Sequence, residues 1–142
     1  MSSTKRLNVL FTCAGRRVSL VNAFRRAAGE LGLESALFAT DVTDLSPALH
    51  VCDKRYIVER TTHQDYIEQI LKIVKEQGVG LLVPTVDLDL KMLAANRQKL
   101  ADMGCTVLVS SPEVVNICQD KLKFFQFLTE NNFSTPFTVG SQ

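Results

Sequence analysis

The sequence predicts an α/β protein built on a parallel sheet, and three observations carry the prediction. Short apolar runs rich in Val, Leu, Ile and Phe recur along the chain, each too brief for a helix. Between them lie longer segments whose apolar residues repeat at three- and four-residue spacing. Glycine, proline, serine or aspartate separates one kind from the other. Strands that alternate with helices are joined by right-handed crossovers, which makes the strands parallel and covers both faces of the sheet.

Leu7–Thr12 is the first such run, and it ends at the glycine-containing turn Cys13-Ala-Gly-Arg-Arg17, so it reads as a buried strand. From Arg16 onward Val18, Val21, Phe24, Ala28 and Leu31 mark one helix face, and Gly32 follows where a C-cap belongs. Glu34–Thr40 is a second strand ending in Asp41, and Arg55–Val58 a third beyond the Ser/Pro-containing Leu45–Leu49. Thr62-x-x-Asp65 resembles a capping box ahead of a helix with Ile67, Ile70, Leu71 and Val74 on one face and Gly78 at its end. Val79–Val83, closed by Pro84, is the fourth strand. Asp87 then opens a helix carrying Leu88, Met92, Leu93, Leu100 and Met103 to Gly104, and Cys105–Val109 is the fifth strand. Ser111-Pro112-Glu113 starts another helix, with Ser as N-cap and Pro in the first helical position. Asp120 caps the last, which presents Phe124, Phe125 and Leu128, and Phe133–Thr138 reads as extended. Residues 1–118 therefore read as a doubly wound, mostly parallel, five-stranded Rossmann-like sheet in the order 3-2-1-4-5, and residues 119–142 as a C-terminal helical extension.

Composition narrows the function. The 142 residues are 46% hydrophobic and 22% charged, the balance of a globular chain. Sixteen basic residues against fifteen acidic ones, with no basic block, argue against a nucleic-acid partner. No apolar run approaches the length that spans a bilayer and no signal-peptide stretch stands at the N-terminus, so the expectation is a cytoplasmic protein with no membrane partner. Cys13, Cys52, Cys105 and Cys118 form no C-x-x-C pair, which disfavours zinc and disulfide scaffolds and leaves most of these thiols as small buried hydrophobes.

In open α/β sheets ligands bind beyond the carboxyl ends of the strands, where the strand order reverses. That rule selects the Thr12–Arg17 turn, Asp41, the Pro84–Asp89 segment and Ser110-Ser111. The first turn has a single glycine, Gly15, where dinucleotide binding wants G-x-G-x-x-G, so a nicotinamide cofactor is disfavoured even though Asp41 imitates the ribose-binding carboxylate. Arg16 and Arg17 stand where the first helix begins and either join its backbone N–H groups in holding a phosphate or carboxylate or are simply solvated. A helix N-terminus beside Cys13 would lower its pKa, but no histidine is placed to serve it as a nucleophile. Asp87 and Asp89 either cap the helix they precede, contact a ligand hydroxyl or amine, or help hold a metal. Asp120-Lys121 is an N-cap followed by a first-turn lysine.

Read in order, the pieces N-V-L-F-T-C-A-G-R-R at 8–17, A-T-D-V-T-D-L-S-P-A-L at 39–49, L-V-P-T-V-D at 82–87, V-L-V-S-S-P-E at 107–113 and C-Q-D-K-L-K-F-F-Q-F-L at 118–128, followed by N-N-F-S-T-P-F-T, span nearly the whole chain. Together they resemble the N-terminal portion of ATP-grasp ligases, closest to carbamoyl-phosphate synthase large-subunit-like proteins. The resemblance implies a pre-ATP-grasp domain that supplies part of the acceptor pocket. It matches Gly15, Arg16, Asp41, Thr85 and Asp87 to loops that face substrate, beside Arg17 at the candidate anion site, and Lys121 to a lysine that reaches the nucleotide phosphates. Such ligases use ATP and Mg2+ to activate a carboxylate as an acylphosphate, which an amine or ammonia then attacks.

The glycine-rich loop, the second nucleotide lysine and the magnesium-holding carboxylates of that family have no counterpart in these residues. The expectation is therefore a substrate-side domain with no ligase activity by itself, residues 119–142 being a linker helix and the start of an ATP-grasp domain. Its partners would be that domain, in cis or as a separate subunit, and a small-molecule acid or amine, with a homodimer as an option. A stand-alone small-molecule or nucleotide-binding module without catalysis is the competing reading.

Overall fold

A computed structural model describes residues 5–140. Five strands form one sheet in the order β3-β2-β1-β4-β5, with every pairing parallel: β1 Asn8–Thr12, β2 Leu37–Asp41, β3 Lys54–Ile57, β4 Val79–Pro84 and β5 Thr106–Val107. The expected class and strand order are thus observed. β1 lies at the centre, all five of its residues buried, because its neighbours on both sides and helices on both faces leave it no contact with water.

Alternation along the strands divides the core into two layers. On one face Leu10, Phe38 and Leu82 pack against Tyr66, Ile70 and Val74 of α2 (Tyr66–Gln77) and, further along, against Leu93 of α3 (Leu90–Ala95) and Leu100 of α4 (Arg97–Asp102). On the other, Val9, Phe11, Leu37, Ala39 and Val83 pack against Val21 of α1 (Val18–Glu30) and Leu49 of the short 3₁₀ segment Pro47–Val51. Phe11 meets Phe24 of α1 edge-to-face with ring centroids 5.1 Å apart, a favoured aromatic geometry. Asn8 is one of two polar residues in β1, with Thr12, and it is satisfied: Nδ2 donates to the Gln77 carbonyl at 2.7 Å and Oδ1 accepts from the Ala36 amide at 3.2 Å. It ties the end of α2 to the start of β2.

Local signals explain most element ends. Gly78 stops α2 in the left-handed conformation, φ 55°, and Ser111 caps α5 (Pro112–Gln119) by accepting from the Val114 amide. Asp120 caps α6 (Lys121–Glu130) by accepting from the amides of Leu122 and Lys123.

The structure corrects several expectations. The helix expected from Asp87 to Gly104 is three pieces: a 3₁₀ turn at Asp87–Asp89, then α3 and α4, broken at Asn96. The Asn96 side chain donates to the Met92 carbonyl and its own amide bonds Met92 and Leu93, so it competes locally with the helix ladder. Leu88 and Met103, assigned to that helix's apolar face, are exposed, as is Leu31 at the C-cap of α1. No capping box forms at Thr62: Asp65 occupies the N-cap of α2 with helical dihedrals and no side-chain cap bond. β5 is two residues long because Val109 folds back on Val107 through a backbone bond instead of continuing the ladder. No helix among the described residues is long and apolar enough to cross a membrane.

Candidate functional site

The turn after β1 sits where the strand order reverses, between β2 and β4, and it is fastened from every side. The Ala14 amide donates to the Thr40 carbonyl at 3.0 Å, and the Gly15 amide to Asp41 Oδ2 at 2.8 Å. The Gly15 carbonyl accepts from the Ala48 amide at 3.0 Å. From beyond β4, Thr85 Oγ1 approaches the Thr12 and Cys13 carbonyls at 3.1 and 2.7 Å, and Arg17 Nη2 donates back to the Thr85 carbonyl at 3.2 Å. Two residues of the turn are left-handed, Cys13 at φ 51° and Gly15 at φ 50°. Glycine takes that conformation without strain; cysteine does not, and its retention requires the surrounding bonds to hold it.

Four of the residues singled out in the sequence thus meet at this turn in two bonded pairs, Gly15 with Asp41 and Arg17 with Thr85, with Arg16 exposed beside them. Asp41 spends both carboxylate oxygens on backbone, Oδ2 on Gly15 and Oδ1 on the Val42 amide at 2.7 Å, so it shapes the turn. The Arg17 and Val18 amides are taken by the Ala14 and Arg16 carbonyls, and the first turn of α1 has no side-chain cap and no acidic residue, so no carboxylate neutralises the positive end of its dipole.

Asp87 and Lys121 lie elsewhere, on a neighbouring open cleft of about 690 Å³ between α3, α5 and α6, together with Leu88, Lys91, Ser110 and Cys118. The Asp87 carbonyl accepts from Gln119 Nε2, which pins the end of α5 to the segment after β4. Its side chain caps nothing: the 3₁₀ segment it opens has Val86 in the N-cap position with no side-chain cap bond.

Beneath the turn lies a carboxylate that the sequence offers as a cap, a ligand contact or a metal holder and that the structure buries instead. Asp89 is fully buried, and its Oδ2 accepts from Thr12 Oγ1 at 2.6 Å and from Tyr66 Oη at 3.2 Å, while Oδ1 has no partner among the described residues. Burial pushes the Asp89 carboxyl above the ordinary carboxylate range, and the Thr12 and Tyr66 hydrogen bonds only partly oppose it. Burial also pushes the Tyr66 hydroxyl upward, with the Asp89 carboxylate adding to the shift. Cys13 Sγ lies 3.7 Å from Tyr66 Oη. Its pKa is pushed up to about 11, first by burial and then by the Asp89 and Asp41 carboxylates, which corrects the expectation of a thiol activated by the helix N-terminus. Of the other thiols Cys105 is buried, Cys52 half-buried and Cys118 exposed, so where most of the four were expected to be buried only Cys105 fully is. The one signal for Asp89 was the second carboxylate of Asp87-Leu-Asp89; its partners, Thr12 and Tyr66, are too distant in sequence to be paired with it by spacing.

The parallel sheet with its clamped β1–α1 turn at the switch point defines a Rossmann-like α/β domain, and the capped Asp-Lys helix extends from it. Residues 9–108 match the family model described as PylC-like, N-terminal domain, and the chain belongs to that family. No curated protein matches the sequence. Solved structures share the fold at low identity. Glycinamide-RNase-transformylase T from Mycobacterium tuberculosis is 12% identical at TM-score 0.64, covering 87% of this chain and 35% of that one. The biotin carboxylase domain of a single-chain bacterial carboxylase is 17% identical at TM-score 0.63, covering 95% and 31%. N5-carboxyaminoimidazole synthetase from Staphylococcus aureus, complexed with ADP, is 12% identical at TM-score 0.60, covering 90% and 31%. This chain therefore spans about a third of the length of these structures.

Proposed function

We propose that this domain is the substrate-side part of an ATP-grasp carboxylate–amine ligase of the carbamoyl-phosphate synthase-like kind, acting in the cytoplasm, and that its β1–α1 turn holds the anionic group of a small-molecule acid or amine substrate. The observation that carries the reading is the turn itself. Its shape is fixed by Asp41 and Thr85, and it leads, just past Arg16 and Arg17, into a helix start with no side-chain cap and no acidic residue. Preorganised N–H groups with guanidinium partners suit a carboxylate or phosphate, because the donors are oriented before the anion arrives. Gly15 keeps the floor of the turn low: a Cβ there would stand 3.3 Å from Arg17 Nη1.

ATP and Mg2+ are the cofactors this reading implies for the complete ligase, where they supply phosphoryl activation of a carboxylate. Lys121 and Lys91 on the second cleft offer two ammonium groups to nucleotide phosphates. No group of three His, Cys, Asp or Glu side chains suited to an ion comes together among the described residues, so they do not by themselves fit magnesium. Residues 1–118 form the domain proper and 119–142 the link to an ATP-grasp partner, in cis or as a separate subunit. The exposure of Phe124, Phe127, Phe133 and Phe137 supports that division. The isolated chain carries no ligase activity.

Calorimetric titration with inorganic phosphate and with ATP tests the reading. Phosphate should saturate one site and bind about tenfold more weakly to Arg16→Ala, the loss of one charge-assisted contact. Lys121→Ala should weaken ATP and leave phosphate unchanged. Acceptor-dependent ATP consumption by the isolated chain would overturn the assignment of chemistry to a partner. Saturable ATP binding that no ATP-grasp partner converts to turnover would favour a stand-alone binding module.

A further inference from the structure

The buried group beneath the turn has no part in the reading above, and it is the costliest feature of the domain's interior. A carboxyl taken wholly out of water loses its hydration and needs protein donors in return. Asp89 has two, Thr12 from the end of β1 and Tyr66 from the first turn of α2, and all three belong to different elements. Thr12 is followed directly by Cys13, the left-handed residue, and the Cys13 thiol reaches the same Tyr66 hydroxyl. One carboxyl therefore joins the segment after β4, the base of the turn and the start of α2. Thr85 holds the same two residues from above through their carbonyls.

We propose that Asp89 is a positioning residue for the anion-holding edge: through Thr12 and Tyr66 it fixes the Cys13–Gly15 turn, and with it the start of α1, without touching the ligand. The inference rests on the reading of that edge as an anion site. The physical reason is the strain at Cys13. A non-glycine residue in the left-handed region relaxes unless its neighbours over-determine it, and the residue directly before Cys13 is anchored to a different element by Thr12 Oγ1 at 2.6 Å from Asp89, while the Cys13 thiol itself reaches Tyr66, which donates to the same carboxyl. Asp41 and Thr85 hold the backbone of the turn from the solvent side; Asp89 holds it from the core side.

Amide hydrogen exchange of the full chain, read by NMR, tests this apart from any ligand. In Asp89→Leu, which removes the acceptor, the Ala14 and Gly15 amides should exchange about tenfold faster while Leu10 and Leu82 in the core hold their wild-type protection. Asp89→Asn, which keeps a carbonyl acceptor for Thr12 and Tyr66, should restore most of the turn's protection. If Asp89→Leu fails to fold, Thr12→Val removes the shorter bond alone and should give the same local pattern. Unchanged Ala14 and Gly15 protection in a folded variant would overturn the inference, and so would a loss spread evenly over the core, which would make Asp89 an ordinary stability residue. Inorganic phosphate titrated against the same samples separates the two ideas. Wild-type protein that binds no phosphate defeats the anion-site reading, whereas the exchange pattern alone decides the role of Asp89.

Discussion

In the sheet body every helix turns at least one side chain fully inward, Val21 from α1, Ile70 from α2, Leu93 from α3, Leu100 from α4 and Val115 from α5, whereas α6 buries none. The sequences of the two regions are equally apolar to the eye: α6 contains Leu122, Phe124, Phe125, Phe127 and Leu128. They differ in what faces them. The helices of the body lie against a sheet whose alternating side chains fill the space beneath, while α6 rests on α5 through one edge. Its order comes from local bonds, the Asp120 cap at one end and the Asn131 side chain bonded to the Phe127 carbonyl at the other. Beyond it Phe137 meets Phe125 edge-to-face at 6.3 Å yet remains 86% exposed. Apolar content measures what a segment could bury, and the tertiary neighbours decide what it does bury.

The largest test of that contrast is a cavity in the body. Leu82→Ala, at a fully buried position in β4, should cost about 2–5 kcal/mol in urea unfolding, the sum of lost transfer energy and residual void. A cost under about 1 kcal/mol would mean the two core layers can collapse around the gap.

Thiol chemistry distinguishes the regions next. Burial holds Cys13, Cys52 and Cys105 at about 11 against a usual 9.0, so at pH 8 each carries about a hundredfold less thiolate than a free cysteine. Iodoacetamide at that pH should label exposed Cys118 first and the other three slowly, as followed by mass spectrometry. The sign for stability follows from proton counts. The folded state holds these protons more tightly than the unfolded chain, so the contribution is intact below pH 9 and is lost as pH rises through about 11. An unfolding midpoint that stayed flat across that window would contradict the buried setting of these thiols.

Gly15→Ala tests the turn. A Cβ at φ 50° should cost about 1–2 kcal/mol and, by pressing on Arg17, loosen the edge it holds. The smallest effects belong to the tail. Asp120→Ala should remove about 1 kcal/mol of local helix stability, seen as lower α6 helicity by NMR chemical shift with the body unchanged. Phe137→Ser should change global stability by less than about 0.5 kcal/mol. A larger loss from Phe137→Ser would show that the tail shares the core of the body after all.

The fold was legible in the sequence wherever the cause was local or periodic. The buried run Asn8–Thr12, the heptad-like face Ile70, Leu71 and Val74, Gly78 as a left-handed stop and the Ser111 and Asp120 caps each depend on a few adjacent residues. Where two weak local signals competed, sequence reading failed. Asn96 inside an apolar repeat broke one expected helix into two, and a capping-box pattern at Thr62 yielded to a turn in which the Tyr66 amide bonds the His63 carbonyl. Of the candidate site, the turn with Gly15, Arg17, Asp41 and Thr85 was visible from strand ends and the switch-point rule. The burial of Asp89 was not, because both of its partners arrive from other elements.

What the sequence by itself determined is the order of strands and helices, and hence the parallel sheet with its crossing point at β1, since period and punctuation are properties of neighbouring residues. The tertiary structure alone decided which charges serve the surface and which the interior. Asp87 and Asp89 stand two residues apart in the same short turn, one exposed and one wholly buried. No scale of propensity separates them; the presence of Thr12 and Tyr66 within hydrogen-bond reach of the second does, because a carboxyl leaves water only where other groups are already placed to receive it.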